Sequence, residues 1–168
     1  VDIYHKESGR RLKNVLYFED NADRGTVYNY ANGTQAEKVN TLESKAKIKV
    51  VRDTRLEKSV SVETKLRIDR DCGSGEIPIE VIYTLRAGAR SLSVQVNLDN
   101  TVNYHRLRVM LPADIESDKS YAGQPFCIVE RDKISPYEDD ETHPNTDFVG
   151  IEDSLGGVAI LNGGLYEY

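Results

Sequence analysis

Apolar and polar side chains alternate along most of the chain. In SVSVETKLRI, starting at Ser59, Val60, Val62, Thr64, Leu66 and Ile68 share one parity, and Ser61, Glu63, Lys65 and Arg67 share the other. A period of two marks a half-buried strand, because successive side chains of extended backbone point to opposite faces. KIKVV before it, IPIEVIYTLR from Ile77 and SLSVQVNL from Ser91 repeat the pattern. In YHRLRVML, Leu107, Val109 and Leu111 fall on one face and Arg106 and Arg108 on the other. That strand is therefore half-buried too, with its basic face turned outward or against a partner.

Turn chemistry falls where the alternation stops. KESGRR (Lys6–Arg11) reads as a hairpin whose Gly9 is free to take a positive φ. RDCGSGE (Arg70–Glu76), RAGAR (Arg86–Arg90) and DSLGG from Asp153 read as further hairpin connections. Many short strands joined by glycine-bearing turns predict an all-β fold, an antiparallel β-sandwich. Residues Thr34 to Lys45 fit a short helix or a polar loop equally well. Pro112–Pro125 and Arg131–Thr146 read as two long irregular segments, the second an acidic, proline-bearing loop.

The 168 residues suit one domain, 1–168, large enough to bury a core without a metal or disulfide. A formal charge of −6 argues against a general nucleic-acid binder, because neutralising phosphates takes clustered Lys and Arg. No apolar run approaches the length of a membrane span, and no signal peptide opens the chain. Cys72 and Cys127 lack metal-type spacing and read as two reduced thiols of a cytoplasmic protein in preference to a disulfide, which stays open as the alternative. The chain opens on Val1, its only methionine is Met110, and it ends on LNGGLYEY, so it reads as a piece of a longer polypeptide.

The stretch YFEDNADRGTVYNY (Tyr17–Tyr30) concentrates acids, amides and tyrosines. As an EF-hand starting at Glu19 it fails, because Arg24 stands where glycine is needed and Tyr30 where the bidentate glutamate belongs. His5, His105 and His143 are too scattered for a zinc motif and read as structural or solvated. No G-x-S-x-G elbow is present. With 28 acids, carboxylate pairs arise by chance, and EDDE (Glu138–Glu141) reads as a solvated charge run. The stretch reads instead as strand, acidic turn and second strand. Its Asp20, Asn21 and Asp23 would bond the loop backbone, and Tyr28 and Tyr30 would share one face of the second strand.

HKESGRRLKNVLYFEDNADRGTVYNY from His5 resembles the opening of the β-rich C-terminal region of bacterial α-mannosidases of glycoside hydrolase family 38. HRLRVMLP from His105, YAGQPFCIVER from Tyr121 and FVGIEDSLGGVAILNGGLYEY from Phe148 continue the likeness in the same order, across nearly the whole chain. The resemblance implies an incomplete piece of a galactose-mutarotase-like supersandwich, excised from a larger multidomain enzyme. Such enzymes are retaining, exo-acting α-mannosidases that need zinc, and their metal ligands and nucleophile belong to a catalytic barrel and nearby segments. This segment is then expected to hold no catalytic residue, metal or cofactor of its own. Its partners are the catalytic and helical domains of the same parent chain and a mannose-containing oligosaccharide.

By motif position the resemblance carries one substrate contact onto Tyr28, with Tyr30 second. The family's acidic residue after the glycine is Thr26 here, and the proline of its GLPEYEV ending is replaced by Tyr166. Two other readings remain open at this point. A stand-alone carbohydrate-binding or adhesive module predicts sugar affinity for the chain alone. A mutarotase-like epimerase needs a convergent His–Glu pair.

Overall fold

A computed structural model describes residues 1–25, 30–31, 38–132, 142–154, 156–166 and 168. Its thirteen strands are β1 (Ile3–Tyr4), β2 (Arg11–Leu12), β3 (Tyr17–Ala22), β4 (Val39–Asn40), β5 (Lys47–Asp53), β6 (Glu57–Ile68), β7 (Gly75–Arg86), β8 (Leu92–Leu98), β9 (His105–Met110), β10 (Lys119–Gln124), β11 (Cys127–Asp132), β12 (Phe148–Asp153) and β13 (Gly156–Leu161). Every strand pairing is antiparallel, and no helix occurs among the described residues. The predicted all-β class is what the chain adopts. The chain forms two compact units, one of Val1–Val15, Gly25–Asn32 and Leu111–Tyr168, the other of Leu16–Arg24 and Gly33–Met110.

The second unit is a sandwich of two sheets, β5-β6-β7-β8 and β4-β3-β9. The alternation seen in the sequence sets its larger sheet directly. Val62 pairs with Val81, Leu66 with Ile77 and Thr64 with Ile79, so these residues share a face. Phe18 of β3 packs with Leu66, Ile68, Ile77, Ile79, Val81 and Val102, all buried, and Leu107 of β9 and Val39 of β4 close around them. Burying each such side chain is worth about 1.5–3 kcal/mol relative to exposure. On the opposite face Glu63 meets Glu80, and Arg67 meets Glu76. Ser59 and Ser61 lie on this polar face and are nevertheless buried. Ser61 donates to Glu80 Oε1 at 2.8 Å, and the Ser59 hydroxyl bonds that of Thr84 at 2.9 Å.

The first unit holds the hairpin β1-β2 and the sheet β11-β10-β12-β13. The predicted hairpin at Lys6–Arg11 forms with Ile3 opposite Leu12, and Gly9 takes φ +70°. The hairpin predicted at Asp153 joins β12 to β13. Pro112–Pro125 is not wholly irregular as expected: β10 runs through it and is a central strand of its sheet. Ala122 is fully buried there, and a Cβ on Gly123 would overlap the Asp147 carboxylate. Close packing therefore demands small residues at these positions, which erases the apolar alternation that would have announced a strand. Arg131 and Asp132, expected in the second irregular segment, end β11 instead; Lys133–Glu141 lie outside the described residues.

Candidate functional site

The opening stretch Tyr17–Tyr30 places its acids in a strand. β3 continues through Ala22, so Asp20 and Asn21 are strand residues and fully buried, which corrects the expected acidic turn. Phe18 and Asp20 share a parity, so both turn inward between the sheets. Asp20 is 0% exposed, and the Arg70 and His105 side chains beside it are 3% and 4% exposed. Arg70 comes from the turn after β6, and His105 opens β9. The Arg70 guanidinium stands 2.6 Å from Asp20 Oδ1 and donates to the Asp20 main-chain carbonyl at 3.2 Å. His105 Nδ1 bonds Asp20 Oδ2, and its Nε2 lies 2.8 Å from Asn100 Oδ1.

This cluster is a fastening between elements. Both imidazole nitrogens are already engaged by oxygens, so neither is left to take a substrate proton or ligate a metal. Low dielectric strengthens the Asp20–Arg70 attraction, and together with hydrogen bonds it offsets the cost of removing both charges from water. On the outer side of β3, Glu19 is held by Arg108 and lies 3.5 Å from Lys38 Nζ. The basic face predicted for the Arg106–Arg108 strand thus meets an acid on the neighbouring strand. Asn21 Oδ1 does accept the Ala22 amide at 3.0 Å, a backbone bond of the expected kind.

Of the two sequence-predicted substrate contacts, Tyr28 lies outside the described residues. Tyr30 is half-buried and belongs to no strand, so it does not continue a second strand as expected. Of the Thr34–Lys45 segment, 34–37 also lie outside the described residues; Val39–Asn40 form β4, paired with Glu19 and Asp20. His5 bonds Ser8 Oγ at 2.7 Å, and the His143 main chain exchanges hydrogen bonds with Tyr168 at 3.0 and 3.1 Å. All three histidines therefore have structural partners. Cys72 and Cys127 are free, with Cys72 half-buried and Cys127 exposed.

An open groove of about 1220 Å³ lies on the four-stranded sheet of the second unit, lined by Lys45, Lys47, Glu63, Lys65, Arg67, Glu76, Glu80, Asn97 and Asp99 among others. Several of its charged groups are paired. Lys65 Nζ and Arg67 Nη2 donate to Glu76 at 2.7 and 2.8 Å, Lys49 pairs with Glu63, and Asn97 Nδ2 donates to Glu80 at 3.0 Å. The Lys65 hydrogen bond, followed by that of Arg67, pulls the Glu76 pKa down to about 2. Bonds from Asn97 and Ser61 lower that of Glu80, and the Lys119 bond lowers that of Glu130. A glycosidase general acid needs the reverse, a carboxyl whose pKa is raised so that it carries a proton at working pH. Among the described residues no carboxylate with a perturbed pKa is shifted upward. Nor do three His, Cys, Asp or Glu side chains gather closely enough there to hold a metal ion, so these residues do not fit a zinc centre. No helix among the described residues is long and apolar enough to cross a membrane.

Comparison with known proteins supplies what the geometry cannot. The sequence matches the family described as "Glycosyl hydrolases family 38 C-terminal domain" over residues 1–168. It is 26% identical over 196 residues to a protein of Halalkalibacterium halodurans named "Putative mannosylglycerate hydrolase", covering 99% of this chain and 21% of that protein. Its fold resembles that of an α-mannosidase from Enterococcus faecalis V583, with a TM-score of 0.86, 22% identity and 99% of this chain covered against 22% of the other. A protein in glycosyl hydrolase family 38 from Enterococcus faecalis gives a TM-score of 0.83 at 21% identity, with 99% and 22% covered. At such identities these two structures speak for the fold alone. The chain spans about a fifth of the length of each of these relatives.

Proposed function

Because the chain belongs to glycosyl hydrolase family 38 as a C-terminal domain, we propose that it is a non-catalytic β-sandwich segment of a zinc-dependent, retaining α-mannosidase. The parent enzyme hydrolyses terminal α-mannose from glycans or from small mannosides such as the one in the relative's name. Zinc and the reacting carboxylates are held by residues outside this segment, which packs against the catalytic and helical domains in a cytoplasmic enzyme. The observation that carries this reading is the match over residues 1–168 to a C-terminal domain family.

The segment's contribution is mechanical and local: packing area, one dry wall and a tyrosine hydroxyl from Tyr28, or from Tyr30, turned toward the sugar. A stand-alone carbohydrate-binding module is the second reading. The groove on the large sheet speaks against it, because its lining has no aromatic ring to stack on a sugar. The test uses the full-length parent. It should hydrolyse aryl α-mannosides with retention at the anomeric carbon and lose turnover on chelation, with zinc restoring it. Inverted product, or activity indifferent to chelation, overturns the mechanism proposed; no action on any α-mannoside overturns the substrate class.

A further inference from the structure

The sheet β5-β6-β7-β8 has one polar face and one apolar face, and the apolar face is covered over only part of its length. Cross-strand register fixes which side chains share it. Ile48, Val62, Val81 and Val96 form one row across the four strands. Val50, Val60, Tyr83 and Val94 form the next, and Leu85 faces Leu92 beyond them. The same face continues the other way into Ile79, Leu66, Ile77 and Ile68, all buried beneath Phe18.

Away from that core the cover thins: Tyr83 and Val96 still pack against it half-buried, and the positions outside them do not. Ile48 and Val50 are 69% and 70% exposed, and Leu85, Leu92 and Val94 are exposed with them. Together they leave apolar surface open on the order of a few hundred Å², the scale of the largest patch on a typical monomer. Both strands flanking the patch, β5 and β8, are sheet edges. The opposite face shows that this is not a loosely specified sheet. There Lys47, Lys49, Glu63, Glu80 and Asn97 hold the polar parity that solvent rewards, with Ile82 opposite Ser61 an apolar exception. A strand reading Lys-Ile-Lys-Val has its isoleucine and valine placed for a dry environment.

We infer that the open half of this apolar face is the seat of polypeptide from the same parent chain outside residues 1–168, which lays apolar side chains over Ile48, Val50, Leu85 and Val94. The inference rests on the reading of this chain as one segment of a longer enzyme and adds to it the face through which it docks. The occupant follows from length: relatives matched over 99% of this chain carry nearly four-fifths of their residues outside the matched region. It follows also from continuity, since the patch extends an existing core and is not isolated. A docked segment would complete the second layer that β3 and β9 only begin.

The test is done in the full-length parent enzyme. Val50→Cys should react with a maleimide at least 100-fold more slowly in the native enzyme than in the same variant unfolded in denaturant, read peptide by peptide by mass spectrometry. A photo-cross-linker at position 50 should join sequence outside residues 1–168 of the same polypeptide. Cross-links between differently isotope-labelled copies would assign the face to a second copy and overturn the inference; labelling within a few-fold of the unfolded rate would show the face bare and overturn it as well. In case the variants fail to fold, hydrogen exchange on the unsubstituted enzyme gives an independent answer, because the Lys47–Asp53 amides should exchange slowly under cover and fast without it. A reactive Val50→Cys in an enzyme that still cleaves α-mannosides sinks the docking face alone. A protected face in a protein without mannosidase activity sinks the proposed function alone.

Discussion

Replacing Asp20 with Asn keeps the side chain's shape and removes the charge that holds three elements together. In the native arrangement the carboxylate lies 2.6 Å from Arg70 Nη1 on one oxygen and bonds His105 on the other, with all three side chains almost wholly buried. An amide can accept only at its single oxygen, so its NH2 group either faces the Arg70 donors or requires His105 to change tautomer. The Arg70 guanidinium then loses its carboxylate partner in a buried site and keeps the Asp20 main-chain carbonyl at 3.2 Å. Breaking a buried pair from one side costs about 3–5 kcal/mol, because the surviving charge stays out of water. That is a large share of the roughly 5–15 kcal/mol holding a typical domain folded.

Native-state hydrogen exchange reads this locally in the full-length enzyme. Amides paired across β3 and β9 should exchange about 10²- to 10⁴-fold faster in Asp20→Asn, the tenfold-per-1.4 kcal/mol conversion of that cost. Lys58→Ala, which breaks the exposed pair with Asp53, serves as the control and should change stability by no more than about 1 kcal/mol. Replacing all three members with apolar residues (Asp20→Leu, Arg70→Met, His105→Leu) should recover much of the loss, because no charge is then stranded. An Asp20→Asn effect as small as that of the surface control would refute the reasoning.

Three further outcomes follow from other sites. Gly73→Ala pushes a Cβ into the Asn103 main-chain carbonyl, which backbone cannot yield cheaply, so about 1–3 kcal/mol should be lost in thermal or urea unfolding; an unchanged midpoint contradicts the contact. Glu76 has a folded-state pKa depressed from 4.5 to about 2, so its contribution is fully present above pH 4.5 and fades as pH falls toward 2. Glu76→Gln should therefore flatten the stability–pH curve in that window and leave its slope near neutrality unchanged, as read by unfolding titrations at a series of pH values. Tyr28→Phe in the full-length enzyme should raise the barrier by about 1–3 kcal/mol in kcat/KM, if the hydroxyl meets the sugar in the transition state, and unchanged kinetics would remove Tyr28 from the site.

The sequence showed some parts of this fold plainly and concealed others for physical reasons. β6 and β7 were legible because each alternates over a half-buried surface, and Leu66, Ile77 and Ile79 fell on the predicted core face. The hairpins at Gly9 and Gly88 were legible because both take a positive φ that glycine tolerates. β10 was hidden because tight packing at Ala122 and Gly123 leaves no room for the branched side chains that signal a strand. Asp20 misled in the opposite direction. An aspartate within an Asp-Asn-Ala-Asp run reads as turn chemistry, and its partners Arg70 and His105 lie 50 and 85 residues away. Only the paired strands bring them together. The substrate contact proposed for Tyr28 or Tyr30 comes from family likeness alone, since alternation says which residues share a face and nothing about what meets that face.

The central claim, that this segment supports a reaction centre and contains none, is tested most directly by turnover. Residues 1–168 are purified, their sheet content is verified by circular dichroism, and they are assayed beside the full-length parent on an aryl α-mannoside with and without added zinc. The account predicts hydrolysis by the parent and none above background by the segment under either condition. Zinc-dependent or zinc-independent turnover by residues 1–168 alone would contradict it.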